Sequence, residues 1–360
     1  MTNGKITKEK AKLPLEDLNR EEAPEASRVG APSENVLRPR KLQDYIGQAA
    51  AKGKLTVFME AARGRGETLD HVLLSGPPGL GKTTLAHIVA EEMGGRLHLA
   101  PGPSLEKSVD LLAILTNLQP GDVLFIDEIH RLGRAIEETL YPAMEDFQIQ
   151  LVLGKEVGAQ AVTVPLPRFT LVGATTQSGR LQAPFRDRFG ISLNLDFYDL
   201  GEMKAILRRS AKLLGISLEE EQIEAVASRS RGTPRIANRL LARVRDVLEV
   251  KRSRGAGGVG AQAVHEALDF LDIDKVGLQP LDRRYLQILC ENFRGGPAGV
   301  EALAASLSED RSTLEETVEP YLLKEGFLLR TPKGRIATDK VYSHLGLRAP
   351  EATREDPLLF

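Results

Sequence analysis

Short apolar runs alternate with helical segments between Leu42 and Leu195. Three of these runs are almost continuously apolar: His71–Ser75, Asp122–Ile126 and Phe169–Ala174. Between the first two, Thr83–Met93 carries apolar residues at helical spacing. Continuous apolar strands that are separated by helices are typical of a parallel sheet covered on both faces. The pattern therefore predicts an α/β domain built on a parallel sheet.

The spacing of apolar residues changes beyond the second of these runs. From Gln148 to Val164 apolar and polar residues alternate around two glycines, which predicts a β-hairpin that projects from the domain. From residue 199 onwards the spacing is only helical, with a Gly-rich loop at Arg254–Gly260. The amphipathic segments are Met203–Leu214, Glu219–Ser228, Arg235–Lys251 and Ala261–Leu271. Such a series predicts a small helical bundle.

The last block of the chain combines helical segments with a short hairpin. The helical segments are Asp282–Phe293, Val300–Leu307 and Thr313–Glu325. They are followed by an apolar run at Phe327–Thr331, a turn at Pro332–Gly334, and a second short run at Arg335–Thr338. Three helices followed by a β-hairpin indicate a winged-helix module, which is a variant of the helix-turn-helix.

These changes of pattern divide the chain into five segments. Residues 1–35 are charged, rich in Ala, Pro, Glu and Ser, and lack apolar periodicity, which is typical of a flexible tail. We expect the tail at 1–35, a large α/β domain at 36–197 with its hairpin at 148–164, a helical domain at 198–275, a winged-helix domain at 276–346, and a C-terminal tail at 347–360.

Composition narrows the functional classes. The net charge of the chain is −2, so any nucleic-acid surface has to be a local patch. Cys290 is the only cysteine, which excludes an internal disulfide and a cysteine-based zinc site and fits a reducing compartment. Its apolar neighbours favour a buried small hydrophobe. The charged segment Met1–Lys12 has no apolar run behind it and predicts neither a signal peptide nor a membrane anchor, and we expect a cytoplasmic protein.

A phosphate-binding loop follows the first apolar strand. Gly76 to Thr83 have the sequence G-P-P-G-L-G-K-T, which lies between a predicted strand and a predicted helix. In this motif the glycines allow backbone N–H groups to face the β-phosphate at the helix N-terminus. Lys82 would contact the β- and γ-phosphates of ATP, and the Thr83 hydroxyl would bind Mg²⁺. The motif indicates a nucleotide site, since a simple Gly-Pro turn needs neither the lysine nor the threonine.

Two carboxylates end the second apolar strand, at Asp127 and Glu128. An acidic pair after a strand is often an ordinary surface turn. One strand after a phosphate-binding loop, however, Asp127 would belong to the Mg²⁺ shell and Glu128 would orient and activate the attacking water. The pair therefore indicates that the bound nucleotide is hydrolysed.

Three further polar positions are candidates for the same site. The third strand ends in two threonines, and Thr175 is the candidate to contact the γ-phosphate or the water. Arg188 follows a Pro-containing turn, where an ATPase ring carries the arginine finger that enters the neighbouring subunit's site. Arg235 follows Gly-Thr-Pro and is a candidate second arginine on the γ-phosphate. The same segment also fits simple helix capping by Thr233 with Pro234 at the first helical position.

With these elements in order, the sequence resembles the AAA+ ATPases, and in detail the RuvB family of bacterial motors that drive branch migration of Holliday junctions. Generic AAA+ motifs indicate only an ATPase, whereas L-Y-P-A-M-E-D and G-F-L-L-R-T-P-K-G-R are far more specific. The matching stretches include L-R-P (37–39), Y-I-G-Q (45–48), G-P-P-G-L-G-K-T-T-L-A (76–86), L-F-I-D-E-I-H-R-L (124–132), L-Y-P-A-M-E-D (140–146), F-T-L-V-G-A-T-T (169–176), R-D-R-F-G-I (186–191), R-S-R-G-T-P-R-I-A-N-R-L-L (229–241) and G-F-L-L-R-T-P-K-G-R (326–335).

The resemblance implies a role for individual residues. Leu37, Arg38 and Tyr198 would border the adenine and ribose. The phosphates would be held by Gly79, Gly81, Lys82, Thr83 and Thr84. Glu145, Asp146 and Phe147 are near-site residues in such proteins. Arg188 would be the finger that acts in trans, and Arg235 the arginine of a helical lid domain. In the winged helix, Arg330 and Arg335 match positions that contact DNA.

The resemblance also implies partners. They are a homo-hexameric ring of this chain, double-stranded DNA in a Holliday junction, a RuvA-type junction-binding protein docked on hairpin 148–164, and a junction resolvase. The expected function is ATP-driven branch migration in DNA recombination and repair. This chain departs from the family's usual sequence at residues 154–161 of the hairpin. It also has Gln177 where Thr-Thr-Arg-Ala-Gly is usual, and so lacks one basic residue.

Two other functional classes compete with a DNA motor. Lys324, Arg330, Lys333, Arg335 and Lys340 cluster around the wing, which suits phosphate contact without base recognition but also fits a solvated charged face. An AAA+ switch of clamp-loader or initiator type would use the same ATP site as a timer. A protein unfoldase would need an aromatic pore loop, and Pro101–Asp110 contains no aromatic residue.

Overall fold

The computed structural model describes residues 34–153, 160–253 and 261–348. Most of the two predicted tails lies outside these residues. So do the centre of the predicted hairpin, residues 154–159, and the Gly-rich loop at 254–260. A short helix, α1 (Glu34–Leu37), begins the described chain and leads into α2 (Ala49–Arg65).

A five-stranded parallel sheet forms the centre of the first domain, which confirms the predicted fold class. The strand order is β2-β3-β6-β1-β7. The strands are β1 (Val72–Ser75), β2 (Leu97–Pro101), β3 (Val123–Asp127), β6 (Thr170–Thr175) and β7 (Ile191–Asn194). The helices that accompany them are α3 (Lys82–Met93), α4 (Ser108–Leu115), α5 (Arg134–Glu145) and α6 (Ala183–Arg186). Because β1, β3 and β6 are parallel neighbours, their carboxyl ends meet at one edge, where the candidate site residues lie.

The sequence pattern missed the two outer strands. In β7 only alternate residues are buried, and in β2 only Ala100 is buried. Central strands such as β6 are buried at every residue and are therefore continuously apolar. An edge strand packs on fewer neighbours, so it lacks the continuous apolar signal that the central strands provide.

The hairpin is a separate antiparallel pair, β4 (Gln148–Leu153) and β5 (Gln160–Pro165), in which Gln148 pairs with Pro165. The polypeptide enters it directly from α5, through Phe147 at a φ of 51°. The buried side chain of Ile149 packs in the core on the sheet face that Leu73, Leu124 and Leu171 form, so the base of the hairpin is fixed to the domain.

Four helices form the second domain. They are α7 (Leu200–Leu213), α8 (Glu220–Ser228), α9 (Pro234–Ser253) and α10 (Ala261–Phe270). Asp199 caps α7, since its side chain accepts a hydrogen bond from the Glu202 N–H at 2.8 Å. In turn, the Glu202 carboxylate accepts one from the Asp199 N–H at 3.0 Å. One hydrophobic cluster continues from α2, α3 and β1 into these helices. The helical domain is therefore packed against the part of the sheet domain that carries α2 and α3.

The C-terminal domain has its own core around Tyr285, Leu322 and Phe327. Its elements are α11 (Pro280–Glu291), α12 (Val300–Leu307), α13 (Arg311–Thr313), α14 (Glu319–Lys324), β8 (Leu328–Thr331), β9 (Gly334–Ala337) and α15 (Asp339–Leu345). The antiparallel β8–β9 pair is the wing. The predicted winged helix is thus confirmed.

The predicted helix Thr313–Glu325 is helical, but its hydrogen-bonding pattern changes part of the way along, which the sequence did not predict. A π-helical turn, Leu314–Val318, separates α13 from α14. Pro320 explains the change, because proline has no N–H to donate to the Glu316 carbonyl and its ring excludes that carbonyl from α-helical geometry. The π-helical turn therefore depends on Pro320, whose effect cannot be read from the spacing of the apolar residues.

Candidate functional site

The phosphate-binding loop connects β1 directly to α3, as predicted. Gly79 has a φ of 80° and lies against the helical domain, where an added Cβ would be 2.7 Å from the Thr233 methyl group. A side chain is therefore excluded for both conformational and steric reasons. The Lys82 ammonium donates to the carbonyls of Gly76 at 2.7 Å and Pro77 at 2.9 Å. Burial lowers the pKa of Lys82 to about 8, although the Asp127 and Glu128 carboxylates oppose this shift.

A cavity opens between this loop and the helical domain, and it brings together most of the predicted nucleotide residues. They are Leu37, Arg38, Gly79, Gly81, Lys82, Thr83, Thr84, Asp127, Glu128, Tyr198 and Arg235. Tyr45, Ile46, Arg209, Ser210 and Asn238 also line the cavity and were not predicted. The cavity therefore joins the end of the sheet, the segment before α2 and the first turns of α9.

Two buried tyrosines connect the loop to the helical domain. The Tyr45 hydroxyl donates to the Leu80 carbonyl at 3.1 Å, and the Tyr198 hydroxyl lies 2.9 Å from that of Tyr45. Burial raises the pKa of Tyr198 to about 12, so both hydroxyls stay protonated as donors. Arg209 of α7 donates to the Leu37 carbonyl at 2.6 Å. Any movement of α7 would therefore move two walls of the cavity together.

Asp127 and Glu128 end β3 beside the Lys82 ammonium. The Glu128 N–H donates to Asp127 Oδ1 at 3.0 Å, and Glu128 has a φ of 53°. A glutamate in this left-handed conformation is strained, and such strain is common where a side chain must be aimed precisely at a site. Partial burial raises the pKa of Glu128, and the negative charges of Asp127 and Glu316 raise it further.

The two threonines Thr175 and Thr176 differ in their hydrogen bonds. The Thr175 hydroxyl is already occupied, since it lies 2.9 Å from His130 Nδ1 and accepts the Gln177 N–H at 2.9 Å. The Thr176 hydroxyl is buried without a hydrogen-bond partner. Neither threonine lines the cavity, and of the two hydroxyls only that of Thr175 is satisfied by hydrogen bonds to described residues. His130, whose side chain is 1% exposed, also approaches Glu128, with 3.4 Å between Nε2 and Oε2.

Besides Thr175, four predicted residues lie outside this cavity, at the far end of α5 and next to α6. The Arg188 guanidinium stacks 4.2 Å above the ring of Tyr141, and its Nε lies 3.1 Å from Glu145 Oε1. Asp146 is exposed, and Phe147 packs edge-on against Phe169. Within one subunit, this cluster and the phosphate-binding loop do not form a single site.

The arginines predicted to contact DNA both pair with a buried carboxylate. Glu319 is fully buried and accepts from the Tyr285 hydroxyl at 3.1 Å and from Arg335 Nε at 2.9 Å. Arg335 also pairs with Glu315 at 2.8 Å, and its side chain is only 12% exposed. Arg330 binds the same Glu319 carboxylate from the exposed side. In contrast, Lys333 at the wing tip is exposed and makes no hydrogen bond or ion pair with another described residue.

Thr83 and Asp127 fit a magnesium ion, since both line the cavity and supply the hydroxyl and carboxylate oxygens that Mg²⁺ prefers. Within residues 34–153, 160–253 and 261–348, no group of three or more His, Cys, Asp or Glu side chains forms a separate metal site. None of the helices in these ranges is long and apolar enough to cross a membrane.

Three sequence families match the chain in succession. Residues 37–195 match the Holliday junction DNA helicase RuvB P-loop domain, residues 198–274 the RuvB AAA lid domain, and residues 275–346 the RuvB C-terminal winged helix domain. Among solved structures, a point mutant of Thermotoga maritima RuvB is 52% identical, with a TM-score of 0.81 over 87% of this chain and 100% of that chain. A Thermotoga maritima structure described as the RuvB Holliday junction branch migration motor is 51% identical, with a TM-score of 0.80 over 88% of this chain and 100% of that one.

Proposed function

The chain belongs to the RuvB family, and from this premise we propose how its residues drive the branch migration of Holliday junctions with ATP. A motor is favoured over a clamp-loader or initiator switch, because all three domains match RuvB domains. One observation carries the proposal: Lys82, Asp127, Glu128 and Arg235 converge on one cavity, whereas Arg188 lies outside it.

ATP binds in the cavity between the phosphate-binding loop and the lid domain. Leu37, Arg38 and Tyr198 border the base and ribose. The backbone N–H groups of the loop and the start of α3 hold the phosphates. Lys82 leaves the two loop carbonyls that it contacts and moves to the β- and γ-phosphates. A magnesium ion held by Thr83 and Asp127 would supply charge neutralisation between these phosphates.

Glu128 orients the attacking water and accepts its proton. The strained backbone of Glu128 aims its carboxylate into the cavity, next to Lys82. Thr175 at the end of β6 acts on the site through His130, and the buried, unpartnered Thr176 hydroxyl would turn towards the water or the γ-phosphate when ATP is bound. Arg235 lies at the first turn of α9, so its contact with the γ-phosphate would move the lid domain when ATP is hydrolysed.

The ATP site is completed by a second subunit. Arg188 is held away from the cavity of its own chain by Tyr141 and Glu145. An arginine that stabilises the transferred phosphoryl group has to reach it directly, so Arg188 serves the site of a neighbour. This geometry supports a closed homo-oligomeric ring, for which we propose six subunits.

The winged helix faces duplex DNA and contacts its phosphates without recognising bases. Lys333 at the wing tip is exposed and contacts the phosphates. Arg330, on the exposed side of β8, adds a second positive charge to this surface. We place a RuvA-type junction-binding partner on the hairpin β4–β5, which projects from the sheet domain, and a junction resolvase as a further partner of the assembly.

A four-way-junction assay tests the motor directly. Wild-type chain with a junction-binding partner should move the branch point in the presence of ATP. Glu128→Gln should bind ATP with wild-type affinity and fail to move it. Glu106→Gln, which changes an exposed glutamate in the same domain, is the matched control and should behave as wild type. If the wild type and a competent partner never migrate a junction, the proposal is wrong.

A further inference from the structure

A continuous series of side-chain contacts joins the ATP site to the winged-helix domain. Glu128 Oε2 lies 3.4 Å from His130 Nε2, and His130 Nδ1 lies 2.9 Å from the Thr175 hydroxyl. That hydroxyl accepts the Gln177 N–H at 2.9 Å, and the Gln177 side-chain amide donates to Glu316 Oε1 at 2.9 Å. Glu316 belongs to the C-terminal domain, so four contacts lead from the carboxylate that faces ATP to the domain that faces DNA.

The local structure presents Glu316 at this point. It lies in the π-helical turn Leu314–Val318, which Pro320 imposes. Such turns change the direction of side chains within a helix and are often found at functional positions. Leu314 and Val318 of the same turn are buried in the C-terminal core. Glu316 is thus anchored to the winged helix and displaced whenever that domain moves.

The hydrogen-bond directions along the series are consistent. Because the Thr175 hydroxyl accepts from the Gln177 N–H, its own proton is free to be donated to His130 Nδ1. The neutral imidazole then carries its proton on Nε2, which is buried 3.4 Å from Glu128 Oε2 and makes no hydrogen bond with another described residue. Burial lowers the pKa of His130, which keeps the ring neutral, although the Glu316 charge opposes this shift. Hydrogen bonds therefore orient the side chains from Glu316 to His130, and the buried His130 Nε2 lies next to Glu128 as the nearest donor for its carboxylate.

We propose that Glu316 of the winged-helix domain is a positioning residue for ATP hydrolysis, which acts through Gln177, Thr175 and His130 to hold Glu128 in its productive orientation. The inference rests on the assignment of Glu128 as the group that activates water. Movement of the winged helix on DNA would make or break the contact between Gln177 and Glu316. The position of the DNA-binding domain would thereby set the rate of the chemical step within the same subunit.

Steady-state ATP hydrolysis by the full-length chain, with and without linear duplex DNA, tests this inference. The variants are Gln177→Ala, Glu316→Ala and the double variant. Glu309→Ala is the matched control, since it removes an exposed glutamate of the same domain. Each single variant should lower kcat roughly 3- to 10-fold, the size expected for a coupling contact outside the site, with KM unchanged. The double variant should be no slower than either single variant, because both changes break the same contact.

Two further variants separate positioning from general structural damage. Glu316→Gln keeps an oxygen that accepts from Gln177, and should recover most of the wild-type kcat. Gln177→Glu places two carboxylates together and should lower kcat as much as the alanine variants do. It tests the same contact if one of the alanine variants fails to fold. Wild-type kcat in Gln177→Ala or Glu316→Ala, multiplicative losses in the double variant, or a Glu316→Gln as slow as Glu316→Ala would overturn the proposal.

Glu128→Gln measured alongside distinguishes this inference from the proposed function. If Glu128→Gln keeps the wild-type kcat, the assignment of Glu128 is wrong and the positioning role fails with it. If Glu128→Gln is inactive while the Gln177 and Glu316 variants turn over at the wild-type rate, the ATP site stands and only the positioning role is wrong.

Discussion

The ATP cavity and the wing both concentrate basic residues, yet they use them in opposite ways. Lys82 and Arg235 line the cavity, and among the described residues the Lys82 ammonium donates hydrogen bonds to two loop carbonyls that a phosphate can replace. In the wing, Arg335 is bound to the buried Glu319 and to Glu315. The cations of the cavity are therefore available to bind a ligand, whereas Arg335 of the wing is already neutralised by carboxylates of its own domain.

The largest effect is expected for Arg188, which lies outside both the cavity and the wing of its own subunit. Arg188→Ala should lower kcat for ATP about 10³-fold, because an arginine finger stabilises charge on the transferred phosphoryl group. Nucleotide affinity should change little. Arg186→Ala, which removes an exposed arginine two residues earlier, is the control, and equal losses in both variants would remove the special role of Arg188.

Lys82→Ala should lower kcat/KM for ATP by at least about 100-fold, since it removes the charge that contacts the β- and γ-phosphates. Binding of a fluorescent ATP analogue measures the ground-state part of the loss. Lys54→Ala, on the exposed face of α2, should be silent. A Lys82→Ala variant that hydrolyses ATP normally would show that Lys82 does not contact the phosphates of ATP.

In the wing the expected loss is of stability. Glu319→Ala leaves Arg335 largely buried without its main partner, so unfolding of the C-terminal domain should become easier by about 3 kcal/mol. Thermal and urea denaturation measure this change. Glu301→Ala breaks an exposed ion pair with Arg311 and should change stability little. If Glu319→Ala is as stable as the wild type, the wing arginines are not held by this carboxylate.

The smallest effect is expected for Lys333, which, unlike Arg330 and Arg335, forms no ion pair with another described residue of the wing. Lys333→Ala should weaken duplex DNA binding a few-fold and reduce the slope of log K against log[salt] by about 1. Lys275→Ala removes an exposed lysine outside the wing and should leave the slope unchanged. An unchanged slope in Lys333→Ala would place the DNA elsewhere.

The sequence predicts those features that depend on neighbouring residues in the chain. The central strands are buried on both sides and therefore continuously apolar, and the phosphate-binding loop and the Asp127–Glu128 pair are local motifs. In contrast, Tyr45 and Arg209 enter the cavity only through tertiary contacts with Leu80 and Leu37. Their residue types gave no signal, since a tyrosine near a helix and an arginine on one are ordinary surface residues.

The same limit applies to Thr175 and to the arginines of the wing. Two adjacent threonines at the end of β6 are equivalent in sequence. The hydroxyl of Thr175 is occupied because His130 and the Gln177 N–H happen to converge on it. At the wing, sequence shows the charge of Arg335 but not that Glu319, sixteen residues earlier, is buried beneath it. Which cations are free is a property of the folded chain.

The central claim is that each ATP site is shared between two subunits, and mixing two inactive variants tests it most directly. Lys82→Ala has a defective cavity but an intact Arg188, and Arg188→Ala has the reverse. Each alone should be inactive. Rings assembled from both should regain DNA-stimulated ATP hydrolysis, because the first supplies its arginine to the cavity of the second. A mixture that stays as inactive as its components, under conditions where wild-type and variant subunits form mixed rings, would contradict the shared site.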